Sequence, residues 1–251
     1  YSHDRELLSS IIVDELLTHL PLPRFLKRRV IQRRQRRGFV IRDGVRPETW
    51  DHVEAGYFAA LDNMTRMLEG RRFLLGEAPS LADFGFMGPM LRHFGQDPTP
   101  ANLMRNRAPA VYAWVSRVWN AKAGEEAPVF VDSIPADTAP MLKEVCETHL
   151  QQLAANADAF EAGVRRFAMT VQGCEYVNMP VSRYRVACLE RLRDAYAELD
   201  EEQQKTAQAL LPHPQAAILR DPAVRARSGY DEERRAPFNK AINVYGTGVP
   251  R

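Results

Sequence analysis

Three groups of residues have the types and spacing that chemistry could use. Cys146 and His149 lie three positions apart, so a helix would place both on one face, where they could bind a metal ion. Asp83 is an acidic residue within an apolar stretch, and a buried carboxylate is a candidate catalytic group. The third group is a dense run of arginines near the start of the chain. Each group also has a structural explanation, which must be weighed against the chemical one.

The arginine run, residues 24–42, is called the basic segment below. It contains nine positive side chains and no acidic one: Arg24, Lys27, Arg28, Arg29, Arg33, Arg34, Arg36, Arg37 and Arg42. The whole chain carries only +2, so the remaining residues carry −7 and the basic character is local. A solvated or salt-bridged face is the expected role, followed by attraction of small anions, with nucleic acid and anionic membrane as further options.

Nucleic acid is an unlikely partner on the sequence alone, because the basic segment holds just two aromatic residues, Phe25 and Phe39, for base stacking. A metal site is not expected either, since Cys146 falls on an apolar stripe and no second ligand pair has a supporting spacing. The three cysteines are widely spaced and suit a reducing, cytoplasmic compartment. No apolar run approaches the roughly 20 residues that span a bilayer.

The spacing of apolar residues predicts a chain made of helices. A first helix is expected over residues 6–20, with Leu16 on its apolar stripe, and a long amphipathic one over 48–69, with Trp50 on its stripe and Gly70 at its end. Another begins at Pro109 and contains Trp114 and Trp119. Residues 124–140 are rich in proline and predict a linker.

A second helical section should follow the linker. Its first helix starts near Leu142 and could continue to Phe167, residues 169–181 favour either a short extended piece or a hairpin, and further helices follow to Leu211. We therefore expect an all-α protein with a helical domain at 1–123, an additional helical subdomain at 124–211 and an irregular tail at 212–251. The tail should wrap the surface or meet a partner, with flexible disorder as the alternative.

Asp83 has a structural explanation in its distance from Ser80. Ser80 can cap the start of a helix, and Asp83 at the third helical position can accept a hydrogen bond from the capping residue in return. Pro79 and Phe84 occupy the two positions of a hydrophobic staple around the same cap. This arrangement predicts that Ser80 and Asp83 form a structural N-cap and take no part in catalysis.

The region around this cap resembles the C-terminal helical domain of the cytosolic glutathione transferases. The residues that carry the resemblance are Phe73, Leu74, Leu75, Gly76, Pro79, Ser80, Leu81, Ala82, Asp83 and Phe84, followed by Pro109, Ala110, Val111 and Trp114. The order of predicted helices over about residues 1–122 is similar to the family as well. A weaker resemblance links residues 182–202 to a C-terminal extension of some bacterial members.

The resemblance implies a two-domain parent protein, usually a homodimer, that conjugates or reduces substrates with glutathione as cosubstrate. An N-terminal thioredoxin-like domain would activate the glutathione thiol, and the helical domain would build a pocket for a hydrophobic electrophile. No thioredoxin-like pattern precedes Glu6, so we expect that domain, and the catalytic residue, to be absent from this chain and the chain itself to be inactive and to hold no cofactor. By position, the pocket residues would be Leu16, His19, Leu20 and Arg24. The alternative is a non-enzymatic interaction or scaffold module of the same fold.

Overall fold

The computed structural model describes residues 2–122, 128–211, 214–221 and 227–233 of the 251-residue chain. These residues are mostly helical. The α-helices are α1 (Arg5–Leu16), α2 (Arg24–Gln35), α3 (Trp50–Met67), α4 (Leu81–Pro89), α5 (Pro98–Arg107), α6 (Pro109–Trp119), α7 (Ala139–Val145), α8 (Gln151–Glu161), α9 (Arg183–Ala197) and α10 (Glu201–Leu210). Short π-helical segments extend α2 through Arg36–Val40 and α4 through Met90–Gly95, and a third, Cys146–Leu150, joins α7 to α8.

The first core is built around α3 and α6. Their inward stripes bury Leu61, Met64 and Trp114 completely, together with side chains from the loop that precedes α4 and from α5. The periodicity that predicted a long helix over 48–69 gives α3, which stops before Gly70, where the backbone has φ +73°. Pro109 begins α6 at its first helical position. These helices fix the position of the short turn from Phe73 to Gly76.

The predicted linker is only partly described, since residues 123–127 lie outside the described ranges. Beyond them the chain pairs with the turn before α4: Glu77 N donates to Val129 O at 3.0 Å, and Val131 N donates to Leu75 O at 3.0 Å. Gly76 has φ +139°, and a Cβ on it would lie 2.7 Å from Val129 O. A side chain therefore does not fit at this crossing, which ties the linker to the first core.

The second section contains a β-hairpin, so the expectation of an all-α chain is wrong in this detail. Strands β1 (Arg166–Val171) and β2 (Cys174–Pro180) pair antiparallel. Gln172 and Gly173 form the turn with φ of +48° and +79°, the two positive values that a tight hairpin turn of type I′ requires. The helix expected to reach Phe167 ends at Glu161, because Gly163 at φ +68° redirects the chain and Phe167 enters β1.

The start of the chain also differs from its prediction. The helix expected over residues 6–20 ends at Leu16, and its apolar residues Leu7, Ile11 and Leu16 are exposed, while Ser9 and Val13 face inward. The apolar spacing indicated a helix correctly, but the stripe it marks does not face a core within the described part of the chain. Residues before α1 are held by Asp4, whose carboxylate accepts hydrogen bonds from Thr99 N and Oγ1, both at 2.9 Å.

The described parts of the tail lie against α9. Pro214–Leu219 forms a short 3₁₀-helix that buries Ala216 in a second core with Leu153 and Leu189. Further along, Ser228 N and Oγ donate to the Glu190 carboxylate, each at 2.7 Å. Residues 212–213, 222–226 and 234–251 of the predicted irregular tail fall outside the described ranges. Within those ranges no helix is both long and apolar enough to cross a membrane.

Candidate functional site

The buried carboxylate of Asp83 joins three elements of the first section. Its Oδ2 accepts hydrogen bonds from Ser80 N at 2.9 Å and Ser80 Oγ at 2.7 Å, while its Oδ1 accepts from Leu74 N at 2.9 Å and Trp114 Nε1 at 2.8 Å. Ser80 Oγ also accepts from Asp83 N at 3.4 Å, which completes a capping box at the start of α4. We call these four residues the Asp83 node.

The Asp83 node has the geometry of a structural group. Each oxygen of the carboxylate accepts two hydrogen bonds from groups of the protein, and the side chain has no exposed surface. A substrate therefore has no access to it. The staple around the cap is incomplete, because Phe84 is more than half exposed. The capping hydrogen bonds and Trp114, and not the staple, hold α4 in place.

The residues predicted to line an electrophile pocket lie together near the end of α1 and the start of α2. Leu16 is 71% exposed, and His19, Leu20 and Arg24 are exposed as well. The Arg24 guanidinium forms an ion pair with Asp14, so it is anchored to α1. None of the four lines the two cavities described below. In this chain they form an open surface, and their role in binding stays a prediction.

The hairpin turn closes a polar cavity of about 660 Å³ against the start of α3. It is lined by side chains of both sections of the chain: Arg46, Glu48, Thr49, Asp51, His52, Gln172, Gly173, Cys174, Glu175 and Val177. The sequence analysis missed this site, because its two halves lie about 120 residues apart in the chain. The one available signal was the turn pair Gln172 and Gly173, which predicts a hairpin but not what the hairpin contacts.

His52 connects the two sides of this cavity. Its Nδ1 lies 2.6 Å from Tyr176 Oη and its Nε2 lies 3.0 Å from Gln172 Oε1, so Nε2 donates to the amide oxygen and Nδ1 is paired with the phenol hydroxyl. The Gln172 amide nitrogen in turn donates to Glu144 Oε2 at 2.9 Å and Glu147 Oε2 at 3.0 Å. Both ring nitrogens are engaged, so this histidine holds the hairpin in place and is not a free base.

Tyr176 is the residue beside His52 whose titration burial changes. Burial raises the pKa of Tyr176, and the nearby Cys174 raises it further. Close packing continues behind the histidine, where a Cβ at Gly44, whose φ is +83°, would lie 2.7 Å from Tyr176 Cδ1. The Arg185 guanidinium also reaches Asp43 at 3.0 Å. The cavity therefore lies beside a closely packed junction of the hairpin with the start of α3.

A second cavity of about 280 Å³ lies beside the end of the basic segment. Arg36 and Arg46 line it together with Trp50, Glu48 and four apolar residues, Val40, Ile41, Val45 and Pro47. Trp50 was expected on the buried stripe of α3, yet it is 54% exposed, because it begins the helix and lies beyond the core. The Nε atom of Arg46 is enclosed and has no hydrogen-bond partner among the described residues.

Cys146 and His149 lie on the helical segment between α7 and α8, as their spacing predicts. Cys146 is 1% exposed, and burial followed by the Glu147 charge raises the pKa of its thiol. Burial lowers the pKa of His149, and the positive charge of Arg185 lowers it further. Across the described ranges, no three histidine, cysteine or acidic residues come close enough to hold a metal ion.

The first section is thus an α-helical bundle organised by a buried capping carboxylate. The family model described as "Glutathione S-transferase, C-terminal domain" matches residues 40–121, a segment that runs from the end of the basic segment to just beyond α6 and contains the whole Asp83 node. This match supports the assignment of residues 40–121 to the glutathione S-transferase C-terminal domain family. No curated protein and no solved structure matches the chain significantly.

Proposed function

We propose that this chain is the substrate-side helical part of a glutathione-transferase-like protein. The observation that carries the proposal is the Asp83 node, which lies inside the segment that matches the family and holds its helices together. The parent protein would conjugate or reduce substrates with glutathione as cosubstrate, act in the cytoplasm and form homodimers. A thioredoxin-like domain would be its partner within the parent and would hold the glutathione.

The chemistry of such a reaction requires a thiolate, because the thiolate of glutathione is the nucleophile. The chain's own contribution would be to present an apolar surface to the electrophile, and Leu16, His19, Leu20 and Arg24 are the residues proposed for it. Leu16 and Leu20 are exposed and available to a ligand or a second domain. The basic segment next to them would attract anionic glutathione.

We assign no catalytic side chain among the described residues. Asp83 is enclosed by fixed donors, His52 is engaged at both ring nitrogens, and the buried thiol of Cys146 has a raised pKa. None of these groups is placed to take a proton from a thiol. The 251 residues should therefore be catalytically inert.

Binding of an apolar aromatic electrophile tests the surface directly. We expect the chain to bind it, and the double substitution Leu16→Ser and Leu20→Ser to weaken binding at least tenfold, since each leucine contributes about 1.5–3 kcal/mol when its surface is covered. The matched control is Leu7→Ser with Ile11→Ser, which removes equally exposed apolar side chains of α1 outside the proposed surface. Equal losses in both double variants would contradict the assignment.

The second candidate is a non-enzymatic interaction module of the same fold. It is favoured by the exposed arginines of the basic segment, which suit a large anionic partner as well as small anionic glutathione. An electrophile that fails to bind, together with a macromolecular partner that binds, would support this second candidate over the first.

A further inference from the structure

Seven of the nine cations of the basic segment fall into two sets; of the other two, Arg34 lies over the Phe39 ring and Arg42 is exposed at the end of the segment. The first set packs against α1: Arg24 pairs with Asp14, Arg28 pairs with Glu6, and Lys27 Nζ donates to Leu17 O at 2.6 Å. These contacts use cations to dock α2 onto its neighbour. They account for the inward side of the helix, where Ile31 is also buried.

The second set faces away from α1. Arg29, Arg33, Arg36 and Arg37 are all exposed, and within the described ranges no acidic side chain forms an ion pair with any of them. Their spacing of four, three and one residues places them along one side of a helix. Four neighbouring positive charges repel one another unless a ligand neutralises them. We call this set the arginine stripe.

The arginine stripe leads into the cavity beside Trp50. Arg36 belongs to both, and Arg46 lines the far side of the cavity with its unpartnered Nε. The exposed indole of Trp50 supplies a flat aromatic surface within a small apolar enclosure. A row of guanidinium groups that ends at an exposed aromatic ring is the combination that single-stranded nucleic acid uses, with phosphates on the cations and a base on the ring.

We propose that the arginine stripe and Trp50 form a binding site for single-stranded nucleic acid. The phosphates contact Arg29, Arg33, Arg36 and Arg37, and one unpaired base stacks on the Trp50 indole. This partner was not favoured in the sequence because Trp50 lies outside the basic segment, and the fold brings it to the segment's end. The inference does not depend on whether the parent protein is a transferase.

The outward face of α2 carries both residue types, since Arg29 and Arg33 lie beside the exposed Leu26, with Phe25 and Val30 near its edges. A helix in a membrane interface also places apolar residues on the face that enters the lipid. The exposed Trp50 ring at the end of the arginine stripe is the feature that favours nucleic acid. A duplex fits less well than a single strand, because its bases are already stacked on one another and cannot cover Trp50.

The test is fluorescence anisotropy of the full 251-residue chain with a labelled oligothymidine of about 12 nucleotides. We expect the affinity to fall as salt rises from about 50 to 200 mM. A plot of the logarithm of the binding constant against the logarithm of the salt concentration should have a slope of about −0.7 per phosphate contact, or about −3 for four contacts. Arg29→Gln with Arg33→Gln should bring the slope about 1.4 closer to zero. Trp50→Ala should weaken binding about tenfold or more and leave the slope unchanged.

The matched control changes the same charge at exposed arginines of the second section, Arg191→Gln with Arg220→Gln. It should change the affinity by less than about twofold. Thermal melts by circular dichroism establish that each variant is folded before its affinity is compared.

Three results would overturn the proposal. Absence of oligothymidine binding at low salt would leave the arginine stripe as a solvated face. If the control variant lost as much affinity as the arginine-stripe variant, the net charge of the chain and not the position of the arginines would explain the binding. Binding to vesicles of phosphatidylserine and phosphatidylcholine that exceeds oligothymidine binding and depends on Arg29 and Arg33 would assign the surface to a membrane.

Discussion

Replacing Asp83 by alanine should destabilise the first section strongly. The substitution leaves the Leu74 amide and the Trp114 indole N–H without an acceptor in a fully buried position, and each unpaired donor costs about 1–3 kcal/mol. Loss of the capping box adds about 1 kcal/mol. The expected decrease in the free energy of unfolding is about 3–7 kcal/mol, which corresponds to a decrease in Tm on the order of 10 °C.

Urea titration followed by circular dichroism measures this loss, and three variants calibrate it. Ser80→Ala removes only the hydroxyl's part of the capping box and should cost about 1 kcal/mol. Asp83→Asn keeps the oxygen that accepts from Leu74 and Trp114, so its cost should lie between those of the two alanine variants. Trp114→Phe combined with Asp83→Ala should show coupling, because the two native side chains share a hydrogen bond that either single substitution removes.

The structural role of the Asp83 node would be refuted if Asp83→Ala lowered the free energy of unfolding no more than Ser80→Ala does. The surviving folded fraction should also keep its affinity for the aromatic electrophile. A folded Asp83→Ala variant that loses this affinity would indicate a role in binding, which the enclosed carboxylate does not predict.

Three further outcomes follow from the burial of single residues. Because burial lowers the pKa of His149, the folded state binds a proton less readily than the unfolded state. The stability that depends on neutral His149 is therefore fully present above the ordinary histidine pKa of 6.5 and is lost as the pH falls through the lowered pKa of the folded state. His149→Gln should flatten this pH dependence of the free energy of unfolding in urea titrations. A disulfide reagent should modify Cys174 and Cys188 before Cys146, which should react only on unfolding; equal rates for all three would contradict its burial. Gly76→Ala should cost about 1–3 kcal/mol because its Cβ meets the linker backbone, and an unchanged melt would contradict that crossing.

The sequence predicted those elements whose determinants are local. The long helix α3 follows from apolar residues three and four apart and from Gly70, and the start of α4 follows from the distance between Ser80 and Asp83. The same local pattern cannot show which partner a stripe will face. Leu16 was therefore expected on a buried stripe and proves to be exposed, since the chain turns after it and α2 covers a different side of α1.

The sites depend on contacts that no local pattern contains. Trp50 fits the stripe of α3 by spacing, but it is the first residue of that helix and so extends past the core into the second cavity. Trp119 is the last residue of α6 and is exposed because it too extends past the core. Trp114, in the middle of that helix, is fully buried. The contact between His52 and Tyr176 joins residues 124 positions apart, which a single sequence does not reveal.

The proposed function assigns electrophile binding to this chain and thiol activation to a thioredoxin-like domain. Its most direct test is the rate at which the 251-residue chain conjugates glutathione to an aromatic electrophile. The proposal predicts a rate equal to the reaction without protein, at every protein concentration, because the described residues offer an apolar surface and no group placed to activate the thiol. A rate that rises in proportion to protein concentration would contradict it and would place a catalytic group within these residues.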